Sequence, residues 1–301
     1  MSGLLGTILE RDGSVYRVAT AEGEIRAVLR GKVKRDLPRL VVGDRVHLES
    51  DPAGDLYGIT GVEPRTTVLE RRVPGGRGAR PVAANIDQVF VVTASTHPDP
   101  IPQLIDRLLV VAEANEIAAA VVVNKVDLDP GLALVERMSR AGYPVYPISV
   151  RTGQGVAAFA AALVGRASVV TGPSGAGKSS LLNAVQPGLQ LRTGLLSTRV
   201  RRGRNTTVAA VMIPLEAGGY LVDTPGFSDV GLWAIDPREL GSCFPEFRPH
   251  LGECRYADCR HITEPGCRIR EAVETGEIAA DRLDSYRVLL GELEGEPEEW
   301  E

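Results

Sequence analysis

The chain has 301 residues, 44% of them hydrophobic and 24% charged, which is enough to bury two or three cores and too apolar for a disordered polymer. Its formal charge of -5 argues against bulk attraction to nucleic acid and leaves only local basic patches for that role. No stretch approaches the apolar length of a membrane span and the first residues carry no basic and apolar leader, so a cytoplasmic protein with no membrane partner is expected.

Residues 1–68 alternate short β-like runs (Leu4–Leu9, Val15–Thr20, Ile25–Leu29, Arg45–Glu49, Leu56–Val62) with Gly and Asp turns and show no helical period. This pattern predicts a small closed barrel of five strands, similar to oligonucleotide-binding (OB) barrels. From the third run to the start of the fourth stand Arg26, Arg30, Lys32, Lys34, Arg35 and Arg39, opposed only by Asp36 over residues 26–39. Such a cationic edge suits an RNA partner; a solvated basic face is the plainer alternative. The segment Arg71–Pro81 breaks every periodicity and reads as a flexible basic linker and a domain boundary.

From residue 82 to about 232 strands and helices alternate: Ile86–Ala94, Pro102–Asn115, Ala118–Val123, Leu132–Ala141, Val145–Ile148, Val156–Leu163 and Ala167–Val170. Elements of these lengths in this order predict a parallel sheet covered on both faces. At the end of the second strand stands Asn124-Lys125-Val126-Asp127. An Asp there can accept from the ring N–H and the exocyclic amine of guanine, Asn124 can meet the other edge, and the Lys125 stem can lie along the base. Adenine offers that Asp no donors, and a buried carboxylate left unpaired discriminates by a factor on the order of ten thousand. One strand later, in Ile148–Gly153, Ser149 and Val150 fall where a second base-contacting loop would sit, although an ordinary strand-to-helix turn reads nearly as well.

The residues Gly172-Pro173-Ser174-Gly175-Ala176-Gly177-Lys178-Ser179, followed by Ser180, match the phosphate-cradling pattern at every fixed position and lie between a strand and a helix. Glycines let the loop turn its backbone N–H groups onto a phosphate, Lys178 reaches the β and γ phosphates, and the Ser179 hydroxyl holds Mg²⁺. Downstream, Thr198–Thr207 is a basic stretch in which Thr206 or Thr207 would complete the Mg²⁺ shell as part of a switch, and Tyr220–Gly226 is a strand ending in Asp223, a metal-holding carboxylate, and Gly226, whose N–H can follow the γ phosphate. Together these parts describe a GTP switch.

The remaining segment, 233–301, opens with Asp236-Pro237-Arg238-Glu239, which reads as a helix start with proline at its first position. It carries Cys254, Cys259, His261 and Cys267 within fourteen residues, a closed tetrahedral Zn²⁺ set of structural type. Cys243 reads as core, His250 is a weaker ligand candidate, and Leu283, Tyr286, Leu289, Leu290 and Leu293 form the buried stripe of a final helix. The fold class expected is thus α/β, a nucleotide-binding domain between a barrel and a mainly helical zinc domain.

The order of the motifs is unusual, since the guanine-reading Asn124–Asp127 precedes the phosphate loop. Joining the usual ends and opening the chain elsewhere preserves the sheet and its site. This circularly permuted P-loop order, together with Gly43-Asp44-Arg45-Val46, Gly203–Thr207, Asp223–Phe227, Phe244-Pro245-Glu246-Phe247 and the cysteines, resembles the ribosome small-subunit-dependent GTPase A (RsgA) family over essentially the whole chain. The resemblance implies a monomeric GTP hydrolase that binds the small ribosomal subunit and its rRNA late in assembly, exchanging GTP for GDP by hydrolysis before it leaves. Two positions bear on the chemistry. Phe227 stands where many GTPases carry a water-orienting glutamine, and Asn205 stands where the resembling family has a histidine; Asn can orient water but cannot take its proton. Slow hydrolysis without a partner is therefore expected. Two rival readings remain: a zinc-containing RNA-binding module whose nucleotide pocket is only structural, which absence of turnover under every partner condition would favour, and a P-loop ATPase or kinase, which nucleotide competition would reveal.

Overall fold

The computed structural model describes residues 4–29, 37–50, 56–72, 79–187, 210–223, 232 and 235–295. Five strands, β1 (Leu4–Asp12), β2 (Val15–Thr20), β3 (Gly23–Leu29), β4 (Arg45–Glu49) and β5 (Tyr57–Val62), close a barrel in the order β1-β2-β3-β5-β4. The expected runs match these strands to within three residues at each end. Alternation places Ile8, Tyr16, Val18, Ala27, Val46, Leu48 and Ile59 inside, joined by Leu40 from the loop before β4. The Gly43-Asp44 turn is fixed by a fully buried carboxylate: Asp44 accepts from Val41 N–H at 2.8 Å and from Arg65 Nε at 2.7 Å and Nη2 at 2.9 Å. Of the basic edge, Arg26 and Arg39 are exposed, while Arg30, Lys32, Lys34 and Arg35 lie outside the described residues.

The linker reading of Arg71–Pro81 needs correction. Its two ends belong to a hairpin, β6 (Val68–Arg72) paired antiparallel with β7 (Ala79–Ala84). Each strand finds its backbone partners in the other, a pairing that composition does not announce.

A six-stranded sheet follows, in the order β10-β9-β8-β11-β13-β12, from β8 (Gln88–Ala94), β9 (Ala118–Asn124), β10 (Val145–Pro147), β11 (Ala167–Thr171), β12 (Val211–Pro214) and β13 (Tyr220–Asp223). The pairings of β10 with β9 and β11 with β13 are parallel, as expected, but the edge strand β12, which the periodicity did not reveal, runs antiparallel to β13. All seven residues of β8 and six of seven in β9 are buried, the signature of strands covered on both faces. Between the strands lie α1 (Pro102–Ala114), α2 (Leu132–Arg140), α3 (Val156–Leu163) and α4 (Lys178–Val185).

The chain divides into two compact units, one of residues 1–88, 161–170 and 186–227, the other of residues 89–160, 171–185 and 228–301. The first holds the barrel, the hairpin, β11, β12 and β13. The second holds β8, β9, β10, the phosphate loop and the C-terminal segment. That segment does not begin with an α-helix at Asp236: the carboxylate accepts from the Arg238 backbone N–H at 2.9 Å and makes a turn, followed by 3-10 helices at Leu240–Cys243 and Pro245–His250. Then come α5 (Arg268–Glu274) and α6 (Ala280–Glu294). Leu283, Tyr286, Leu289 and Leu290 are buried, as their spacing predicted, and Cys243 is buried as core with its thiol pushed up to about 11 by burial.

Candidate nucleotide site

In the second unit, the loop after β11 and the end of β9 meet. Gly172 has φ +136° and a side chain there would strike the Val92 carbonyl oxygen at 1.9 Å; Gly177 has φ +91° and a Cβ would come within 2.3 Å of Asn124 Nδ2. Only glycine fits either position. The reason for the second close approach is chemical: Asn124 Nδ2 donates to the Ala176 carbonyl at 2.9 Å, while its Oδ1 accepts from Lys125 N–H at 2.8 Å. One buried side chain thus ties the phosphate loop to the loop after β9, a role that the sequence reading, which aimed Asn124 at the base, did not anticipate.

Lys178 opens α4 and curls back, its ammonium donating to the Gly172 and Pro173 carbonyls at 2.7 and 2.8 Å. Burial lowers its pKa, so a phosphate that replaces those carbonyls meets a partly desolvated cation. Ser174, Gly175 and Ser180 are exposed around it, Ala176 is fully buried, and Ser179 is half-buried.

Asp127 stands on the loop after β9 with a side chain 9% exposed. Ser149 Oγ donates to its Oδ1 at 2.5 Å and Arg151 Nε to its Oδ2 at 2.7 Å. The Ser149 hydrogen bond is the largest cause holding this carboxyl below the usual carboxylate range, with Arg151 adding to it. The Val150 N–H reaches Asn124 Oδ1 only at 3.4 Å, long for a hydrogen bond, which leaves that amide available to an acceptor. Lys125 has φ +65° and its ammonium donates to the His97 carbonyl, while Ser95 Oγ donates to the Lys125 carbonyl at 3.0 Å. Ser95, His97 and Arg151 are neighbours that sequence reasoning missed; the first two come from the loop after β8, which carries no motif.

Asp223 closes β13 in the first unit and is half-buried. Asn205, Thr206, Thr207, Gly226 and Phe227 lie outside the described residues.

The cysteine cluster forms a second constellation. Cys254, Cys259, His261 and Cys267 place one donor atom each within 4.8 Å of one another, the group of this kind found among the described residues. His261 Nδ1 lies 3.6, 3.6 and 3.3 Å from the Cys254, Cys259 and Cys267 sulfurs. Ligands of a tetrahedral zinc ion at its usual N and S distances stand about 3.5 Å apart, so the donor set fits Zn²⁺ in both chemistry and spacing. Burial lowers the His261 pKa, which keeps the imidazole neutral, and pushes the Cys259 thiol up to about 12, so metal uptake must displace protons. His250 is not part of the cluster; its Nε2 lies 3.5 Å from the Glu277 carboxylate.

A phosphate loop and a guanine-type Asn-Lys-x-Asp on one sheet, with the second first in the chain, define a circularly permuted P-loop GTPase. The comparisons agree. The RsgA GTPase family profile matches residues 62–233. The small ribosomal subunit biogenesis GTPase RsgA of Gemmatimonas aurantiaca is 48% identical over 299 residues, covering 96% of this chain and 97% of that protein. The protein of the same name from Moorella thermoacetica is 42% identical, covering 96% and 97%. The crystal structure of YjeQ from Thermotoga maritima superposes with a TM-score of 0.80 at 35% identity, covering 97% of this chain and 99% of that one. YloQ, described as a circularly permuted GTPase, gives 0.78 at 28%, covering 98% and 96%. The chain belongs to the RsgA GTPase family.

Proposed function

We propose that this GTPase binds the small ribosomal subunit during its biogenesis, hydrolyses GTP there and leaves with GDP. The observation that carries the nucleotide half of this reading is the bridge from Asn124 to Ala176, which holds the base-reading and phosphate-reading loops in fixed register. The names of the relatives carry the partner half.

In this reading Asp127 accepts from the guanine ring N–H and amine, the Val150 N–H meets the guanine oxygen, and the amides of Gly172–Ser180 cradle the phosphates around the Lys178 ammonium. Ser179, Thr207 and Asp223 carry oxygen donors of the kind that would hold Mg²⁺, which when bound would supply charge neutralisation for the transferring phosphate. Thr206, Gly226 and Asn205 serve the switch and the attacking water, with Asn205 orienting rather than deprotonating it. Zn²⁺ on Cys254, Cys259, His261 and Cys267 is structural. The barrel, within residues 1–68, and the zinc domain, residues 233–301, contact rRNA; residues 82–232 time release; the protein acts as a cytoplasmic monomer.

Co-sedimentation with small subunits tests this. Binding is expected with a non-hydrolysable GTP analogue and loss of binding with GDP. Equal retention in both states would contradict the release step.

A further inference from the structure

We infer that Arg151 is a built-in competitor of guanine, a positioning residue that occupies the base-reading carboxylate and so sets the affinity and lifetime of the bound nucleotide. The inference rests on the assignment of Asp127 as the base reader. Three observations carry it. The Asp127 side chain is only 9% exposed, so it has little open approach. Its Oδ1 is committed to the Ser149 hydroxyl at 2.5 Å. The other oxygen, Oδ2, is taken by Arg151 Nε at 2.7 Å, from a side chain that is itself 72% exposed to solvent.

A guanidinium and the edge of guanine present the same chemistry to a carboxylate, planar N–H donors side by side. They differ in what holds them. Arg151 is tethered by its own chain on the short turn between Ser149 and Gly153, which is pinned by Ser149 N–H to the Gln154 carbonyl at 2.9 Å and Gly153 N–H to the Ser149 carbonyl at 2.9 Å. Its effective concentration at Asp127 is therefore always high, while an exposed ion pair is individually weak. The guanidinium thus yields to guanine yet subtracts from its binding. Adenine, which has no donors for Asp127, does not meet this competition.

The experiment is a comparison of wild type with Arg151→Ala and Arg151→Lys, using GDP and GTP carrying a fluorescent group on the ribose, and the corresponding ATP as a control. Arg151→Ala is expected to bind both guanine nucleotides about two- to fivefold tighter, with ATP binding unchanged and Arg151→Lys intermediate. The gain shrinks as salt rises from about 50 mM to about 500 mM, because the competing pair is screened. In an Asp127→Asn background the competitor loses its carboxylate, so adding Arg151→Ala leaves affinity for xanthosine triphosphate unchanged. Unchanged or weaker guanine binding by Arg151→Ala, in a protein whose Asp127→Asn variant does turn to xanthosine triphosphate, overturns the inference. Failure of that Asp127→Asn switch instead overturns the base-reading assignment beneath it.

Discussion

In the proposed reading, Asp127 would select a nucleotide by counting donors. A nearly buried carboxylate whose pKa Ser149 helps hold below the usual range would be satisfied by guanine's two N–H groups and left wanting by any base without them. Asp127→Asn replaces one acceptor oxygen with a donor, and the prediction is a reversal of preference from GTP toward xanthosine triphosphate, measured by competition for the bound fluorescent nucleotide. Continued preference for GTP would remove Asp127 from the role. Lys178 makes a second prediction at this scale: Lys178→Ala abolishes nucleotide binding, seen as loss of the fluorescence signal at every concentration, because no other ammonium contacts the Gly172 and Pro173 carbonyls that frame the loop among the described residues. Spacing and flanking strands sufficed to put Asp127 on a loop at a strand end and Lys178 where such a loop meets its helix, as the structure has them. Arg151 was not, because its pairing with Asp127 depends on the direction in which the Ser149–Gly153 turn aims a long side chain, and that direction has no period in the sequence. The motif singled out Asn124, but its bond to the Ala176 carbonyl required two loops distant in the chain to meet.

At the scale of elements, the C-terminal helix is fastened by buried charge. Arg282 on α6 pairs with Asp106 on α1 at 2.6 Å and with Glu246 at 2.5 Å, and Arg137 on α2 pairs with the same Asp106 at 2.7 Å. Arg282 is 1% exposed and stacks over Phe244, 4.6 Å from its ring centre, so the Phe244–Phe247 segment that resembled a family motif works here as part of a clamp. Replacing Arg282 with Met keeps volume, strands the Glu246 carboxylate and leaves Asp106 only the Arg137 cation, an expected loss of about 3–5 kcal/mol in urea unfolding. Burial alone would raise the Asp106 carboxyl, but the Arg137 hydrogen bond and the charges of Arg282 and Arg137 outweigh it and lower the pKa. A depressed acid contributes stability that is complete above its unfolded value of about 3.9 and is lost as pH falls through the lower folded value. Unfolding midpoints should thus be insensitive to this pair near neutrality and fall off below about pH 4; a decline beginning near pH 6 would contradict the assignment. The clamp was invisible in the sequence because its members come from four separate segments. The same blindness explains β6 and β7, whose basic residues hid a hairpin, whereas α1, α2, α3 and the barrel strands carried their own periods.

For the whole molecule, permutation places the Asn124–Asp127 segment, the phosphate loop and the C-terminal segment in one compact unit. The candidate metal cluster is local to Cys254–Cys267 and shares no residue with the clamp or the nucleotide loops among the described residues. Stripping the metal with a chelator is therefore expected to abolish stimulation by small subunits and to expose residues 254–267 to proteolysis, with GTP binding retained; parallel loss of GTP binding would show that the cluster supports the nucleotide fold itself. The central claim is that a partner completes a site in which Phe227 and Asn205 supply no base for the attacking water. The direct measurement is GTP turnover by the purified protein across a titration of small ribosomal subunits, with large subunits, free rRNA and ATP as controls. Turnover that is slow alone and rises steeply with small subunits and GTP only is the predicted result; a rate unchanged by small subunits would contradict the account.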